Sequence, residues 1–382
     1  MIESFIKNNR NVCLIILFFL IAKIISLGIL IDVEKSTIEF IKIKPEVGID
    51  YPIAAKGLNE TLYSLLLEGL GYHLDSINYI NISRNGYSKE YLYIWPPGYP
   101  LLIRLFSSFG IDDILVAILL SNIFYFVSIF LFYKVAKFYL DEKSSGIATL
   151  LFGFFPTYFA YSTAAYSESI FLALALTSWY LFKKEMYFSS GMFIVLSSFV
   201  RYPGILLFII IPSVHIMHKF YGKEIRVIDL IKIVISVIFL LMWLLYLYYN
   251  NISIMEIGKK YWFNEWIYPF ASLIFLFSIK QVFFYQIVVY FISFITLGIL
   301  VYRINPELAF YSIVFILFYS GLVGLTTEAI PRYLATIWPV FIYLGKSLNN
   351  MKSKYASIFI IALFYAIGNI VLIHHAMGSF YA

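Results

Sequence analysis

Apolar runs separated by short polar breaks fill this chain from near its first residue to near its last. A helix needs about 20 apolar residues to cross the hydrocarbon layer of a bilayer. At that length the pattern predicts a first span over residues 11–30. Further spans are predicted at about 114–133, 144–163, 168–182, 188–201, 204–218, 228–248, 282–302, 308–325, 333–347 and 355–375. The fold class is therefore an all-α polytopic membrane protein with about eleven transmembrane helices. Residues 1–382 show no internal repeat, low-complexity linker or soluble segment, so they are expected to form one integral membrane domain.

Two stretches depart from the pattern. One is a long loop over about residues 32–113. Within it, TLYSLLLEGLGYHL at 61–74 is too short and too charged to span, and it is expected to lie as an amphipathic helix in the interface. Residues 73–104 are polar and aromatic and carry a Trp95-Pro96-Pro97-Gly98 break that must stop a helix. The other is a second external element over about 250–280, which includes GKKYWFNEWIYPF.

Composition agrees with the membrane reading. The chain is 62% hydrophobic and 13% charged, which is more apolar surface than a soluble domain of 382 residues could bury. A net charge of +6 raises the question of nucleic acid, but the positions of the charges exclude that partner. Lys7/Arg10, Lys134/Lys137/Lys143, Lys183/Lys184, Lys219/Lys223/Arg226, Arg303 and Lys346/Lys352/Lys354 fall at alternate helix ends, as the positive-inside rule expects. Eleven of the 22 acidic residues fall between Asp32 and Asp113, on the other side. The expectation is a multi-pass protein with a cytoplasmic N-terminus on an uncleaved signal anchor and a working face that is external. The lone cysteine, Cys13, excludes an intrachain disulfide framework and a cysteine-based zinc site. Lys23, inside the first span, either snorkels or pairs within the bundle.

Several ionisable residues gather on the expected external face: His73 and Asp75 in the first loop, Glu168 at the start of a span, Arg201 at a tight turn, and Glu328 and Arg332 in TTEAIPRYL. Taken singly, each is a solvated loop charge. Taken as a set on one face, they suit transfer from a lipid-linked phosphate donor. Asp75 can take a proton from an acceptor hydroxyl, and Arg201 and Arg332 can hold the donor phosphate. A phosphate leaving group needs no general acid, so one carboxylate base suffices, unlike the carboxylate pair of glycoside hydrolysis. His73 beside Asp75 offers two ligand types for a divalent cation, too few to define a metal site, and nothing else implies a cofactor. His374 and His375 are adjacent and so face different ways, and they read as an interfacial helix end. The competing reading is a polytopic transporter or flippase for lipid-linked sugars, which would place its charges at the bilayer midplane on broken, repeated helices.

A family resemblance rests on particular residues. His73-Leu74-Asp75, Asn85-Gly86-Tyr87, Glu90 and the run 97–104 resemble the first-loop signature of PIG-V type GPI mannosyltransferases. The segment PTYFAYSTAAYSE at 156–168, the Arg201-to-Gly204 turn, the Trp and Pro-Phe of 266–270, and Pro331-Arg332-Tyr333 follow in the family's order. The resemblance implies a GT-C type glycosyltransferase bundle. It also implies an inverting transfer of mannose from a dolichyl- or other polyprenyl-phosphate donor to a lipid or glycan acceptor. On that pattern Asp75 is the base. Together with the charges gathered on the expected external face, this makes Arg201 and Arg332 the expected donor-phosphate ligands, and His73, Tyr87, Glu168 and Glu328 the expected supporting or acceptor-binding residues. Two departures stand out: Leu74 replaces the family's Trp, and Trp95-Pro96-Pro97-Gly98 replaces its aromatic-Phe-Pro run.

Overall fold

The structure is a computed structural model that describes residues 9–43, 69–72, 74–218, 226–272, 274, 292–323, 329–351 and 354–377. Helix α1, Arg10–Ile43, runs past residue 30, where the first span was expected to end. Residues 31–43 contain no Gly or Pro, so nothing stops the helix before Pro45. The start of the expected 32–113 loop is therefore helical. Most of the expected amphipathic segment at 61–74 lies outside the described residues.

The polar stretch folds into α2 (Asp75–Asn85), a 3-10 turn (Glu90–Ile94) and α3 (Gly98–Ser107). Next comes α4, Asp113–Ala136, whose start is capped by the Asp112 carboxylate accepting from the backbone of Ile114 and Leu115. The predicted span at 144–163 is two helices, α5 (Glu142–Gly153) and α6 (Pro156–Tyr161). Pro156 cannot continue α5, but it suits the first position of α6. After it come α7 (Glu168–Lys183), α8 (Tyr187–Val200), a 3-10 turn (Tyr202–Leu206), α9 (Leu207–Met217), α10 (Val227–Val234) and α11 (Val237–Tyr249).

The second departing stretch, expected over about 250–280, contains α12 (Ile254–Trp262) and strand β1 (Glu265–Trp266). Beyond it are α13 (Pro306–Ser320), β2 (Leu322–Val323), α14 (Ile330–Tyr333), α15 (Pro339–Asn349) and α16 (Lys354–Ala376). Pro339 breaks the predicted 333–347 span just as Pro156 breaks the earlier one. Four helices among the described residues are long and apolar enough to cross a membrane: Arg10–Val33, Asp113–Ala136, Val227–Tyr249 and Tyr355–Ala376. Tyr187–Val200, Tyr202–Met217, Ile292–Arg303 and Pro306–Ser320 are shorter apolar helices. The protein is an all-α integral membrane protein. Among the described residues its strands are the antiparallel pair Glu265↔Val323 and Trp266↔Leu322.

Side-chain contacts sort the described helix ends into two groups. At one end Asn349 donates to Ser144 Oγ (2.9 Å), and Lys183 and His218 both pair with Glu307 (3.1 and 2.8 Å). The described members of the basic groups lie at the turns of this end. The polar stretch, the start of α7, the end of α8, the α12–β1 element and α14 lie at the other. Buried aromatic rings hold the bundle between them. Phe132 stacks on Phe152 (4.4 Å), and Trp338 packs against Phe132, Trp179 and Tyr311. Lipid chains are as apolar as the side chains, so this packing acts through dispersion rather than burial from water. Lys23 is buried within the bundle. Its ammonium donates to Asn122 (3.0 Å), Ser162 (2.9 Å) and Thr163 (2.9 Å) and lies 4.2 Å from the centre of the Tyr125 ring. Of the two sequence readings for Lys23, pairing inside the bundle is the one found.

Candidate active site

Four of the predicted site residues meet at the end away from the basic turns. Asp75 is the first residue of α2, and Glu168 is the first residue of α7. A carboxylate in a first helical turn is favoured by the helix dipole. Arg201 caps the C-terminal end of α8, where the dipole favours a cation. Arg332 lies in α14, whose position is pinned by Thr157 Oγ1 donating to the Pro331 carbonyl (2.9 Å).

The four charges form a chain. Arg332 Nη2 contacts Asp75 Oδ2 at 2.7 Å, and Arg332 Nε contacts Glu168 Oε1 at 3.0 Å. Arg201 Nη1 contacts the same Glu168 oxygen at 2.6 Å and donates to Ser167 Oγ at 3.2 Å. Ser167 Oγ in turn shares a 2.8 Å hydrogen bond with Tyr79 Oη. The guanidinium of Arg332 is flanked by the rings of Tyr161, Tyr166 and Tyr333, each with its centre 5.2–5.4 Å away. Burial alone would weaken its charge. Asp75, Tyr333 and Glu168 outweigh burial and hold the group above its ordinary range. The Glu168 side chain is 3% exposed and that of Asp75 is 27%, so only Asp75 of the two carboxylates opens to a ligand.

Two interlocked turns place this chain of charges. A Cβ on Gly98, in the Trp95-Pro96-Pro97-Gly98 break, would sit 2.7 Å from the Phe199 carbonyl oxygen at the end of α8. A Cβ on Gly204, in the Arg201 turn, would sit 2.6 Å from the Ser198 nitrogen. Backbone thus meets backbone on both sides of the residue that leads into Arg201. Leu74, just before Asp75, has a φ of 50°, a conformation that costs an L side chain about 1–3 kcal/mol. The surrounding fold therefore sets the entry to the Asp75 helix against a local backbone preference.

A cavity of about 970 Å³ lies over the charges. Asp75, Asn78 and Tyr79 from one face of α2 line it, together with Arg201 and Arg332. The opposite wall comes from α12 and β1. That wall is clasped to the 3-10 turn: Lys260 and Tyr261 contact Glu90 Oε2 at 2.6 and 3.0 Å, and Trp95 meets Trp262 edge-on at 5.3 Å. The Lys260 and Tyr261 hydrogen bonds hold the Glu90 carboxyl below its ordinary value.

Tyr87 is not brought to the cluster. Its hydroxyl donates to the Trp95 carbonyl (2.8 Å), and its ring stacks on Tyr93 (4.4 Å), so it shapes the loop and does not line the cavity. His73 and Glu328 lie outside the described residues. Among the described residues, no three His, Cys, Asp or Glu side chains converge to hold a metal ion. His375 is buried and packs edge-on against Tyr161 and Tyr166, both at 5.3 Å, so it is part of the bundle rather than an interfacial end. Sequence reading missed Tyr79, although it stands four residues after Asp75 and thus on the same helix face. It also missed Ser167 and the α12–β1 wall.

A polytopic helical membrane protein with a charged, water-accessible cavity at one end of the bundle belongs to a limited set of classes, lipid-linked transferases and transporters among them. The family model described as Mannosyltransferase (PIG-V) matches residues 13–247, more than half of the chain. The chain belongs to this family and is a membrane mannosyltransferase. No individual curated protein matches it. The matched part carries Asp75, Glu168 and Arg201. Arg332 and the α12–β1 wall lie beyond its end.

Proposed function

We propose that the protein transfers mannose from a polyprenyl-phosphate donor, such as dolichyl-phosphate mannose, to a hydroxyl of a lipid or glycan acceptor, with inversion, in the cavity over Asp75. The observation that carries this reading is the shared guanidinium of Arg332, in contact with both the part-exposed carboxylate Asp75 and the buried carboxylate Glu168. Asp75 takes the proton of the acceptor hydroxyl as its oxygen attacks the anomeric carbon. The bond from that carbon to the phosphate oxygen breaks, and polyprenyl phosphate leaves with the electron pair. No acid is required, because the phosphate is a weak base.

A single displacement puts base and leaving group on opposite faces of the sugar. The 2.7 Å contact between Asp75 and Arg332 must therefore open as the sugar enters. Arg332 would exchange Asp75 for the phosphate while Nε stays on Glu168. One move then frees the base and neutralises the leaving group. Two arginines and two carboxylates balance to zero before the donor arrives. The donor phosphate replaces Asp75 as a partner of Arg332, so no guanidinium is left uncompensated.

The experiment is mannosyl transfer by purified protein from a panel of polyprenyl-phosphate sugars, with wild type and Asp75→Asn compared. The reading expects transfer from the mannosyl donor and a loss of about 10²–10⁴-fold in the variant, the range of a general base. Full activity in a folded Asp75→Asn protein would remove Asp75 as the base. By the positive-inside rule we further place this cavity on the external or luminal side, across the membrane from Lys134, Lys183 and Lys346.

A further inference from the structure

The cavity has two walls of different character. The Asp75 side is charged, with Asp75 part-exposed and Arg332 buried behind it. On the other side Trp266 presents a large ring that is fixed yet open. Its indole Nε1 donates to the Phe318 carbonyl (3.1 Å), and its backbone pairs with Leu322 in the two-stranded ribbon. Ile267 N donates to the Gly321 carbonyl (3.0 Å). A Cβ on Gly321 would stand 2.2 Å from Nε1, so only glycine leaves room for the indole there. The Trp266 residue nevertheless remains 44% exposed and lines the cavity.

An indole whose N–H is already used can offer a ligand only its apolar face. Two kinds of partner suit such a face: a lipid chain or the C–H face of a sugar ring. The neighbouring groups choose between them. Glu256, Lys259, Asn264 and Glu265 line the same wall. Lys259 and Glu265 pair with each other, and a lipid chain lying there would strip water from this pair and its polar neighbours and offer no hydrogen bond in return, at about 1–3 kcal/mol for each group left unsatisfied. Sugar hydroxyls around an apolar face replace those hydrogen bonds.

We infer that Trp266 is the stacking platform for a pyranose ring of the acceptor, and that Asn264 and Glu265 take its hydroxyls. The inference rests on the transfer reading at Asp75 and assigns the contact with the acceptor's sugar to one side chain. It also places acceptor choice in a segment beyond residue 247, where the family match ends.

The test is saturation-transfer NMR on the full-length protein in a detergent without sugar headgroups. The probes are methyl α-mannopyranoside, methyl β-glucopyranoside and methyl α-glucosaminide. At least one glycoside should receive saturation at the C–H protons of one ring face. Its affinity should fall roughly tenfold in Trp266→Leu, as expected for loss of an aromatic contact, and should recover in Trp266→Phe. Asn264→Ala should weaken binding without altering the fold, which guards against unfolding of the Trp266 variant. No saturation of any glycoside by wild type, or equal binding by Trp266→Leu, would overturn the platform. Glycoside binding without mannosyl transfer from any donor would sink the transfer reading and leave the platform standing.

Discussion

At the scale of single residues the account turns on how unequal the four charges are. Glu168 is buried and holds two arginines, whereas Asp75 is part-exposed and holds one. Removing a partner from a buried ion pair costs about 3–5 kcal/mol, because the remaining charge is left uncompensated. Glu168→Ala should therefore lower thermal stability sharply, and a thermal-shift assay would register it. Asp75→Asn should melt close to wild type while losing transfer. If both variants melted alike, the division into an anchor and a reactive carboxylate would be wrong. The individual residues were legible in the sequence: Asp75, Glu168, Arg201 and Arg332 are ionisable groups at helix ends in an apolar chain, where charge is costly unless used. Their pairing was not legible, since Asp75 and Arg332 are 257 positions apart and only the packed bundle joins them. Tyr87 misled because its motif position says nothing about which way its hydroxyl turns.

At the scale of elements, close approaches between turns position the site. Gly204→Ala would force the Arg201 turn away from Ser198, and Gly98→Ala would push α3 off the end of α8. Both should reduce transfer by displacing Arg201, and the donor KM should rise more than the acceptor KM. A rise confined to the acceptor KM would contradict the placement of Arg201 beside the donor. The clasp between Glu90 and α12 gives a pH prediction. The Glu90 carboxyl is held below its ordinary value of 4.5, chiefly by the Lys260 hydrogen bond. A lowered carboxyl contributes stability that is present above that ordinary value. The contribution is lost as the pH falls from there through the lowered folded value. Hydrogen exchange of α12 should accordingly rise as the pH drops below about 4.5, after correction for intrinsic rates, and Glu90→Gln should remove that step. Helix positions were legible where apolar runs are unbroken, as in α4 and α16. They were not legible at Pro156 and Pro339, because a window of about 20 residues averages over a proline that ends one helix and starts the next. The end of α1 was missed for the opposite reason: the run turns polar at Asp32, but nothing in it breaks a helix before Pro45.

At the scale of the whole molecule, the separation of basic turns from the charged cavity is the basis of the proposed orientation. With Cys13 replaced by serine, a single cysteine at position 264 should react with a membrane-impermeant maleimide from the external or luminal side, and one at position 346 only after permeabilisation. The reverse labelling would invert the proposed orientation. The all-α membrane class was legible from the apolar runs, with composition in agreement. The cavity was not, because its lining comes from α2, α8, α12 and α14, which lie far apart in the sequence. The central claim is that Asp75 acts as the base for mannosyl transfer from a lipid-linked phosphate. Its most direct measurement is mass analysis of products after purified wild type and Asp75→Asn are each incubated with polyprenyl-phosphate mannose and a glycan acceptor. The account predicts a product one mannose heavier with wild type, formed at least about a hundredfold more slowly with Asp75→Asn. The same product at an undiminished rate from the Asp75→Asn protein would contradict it.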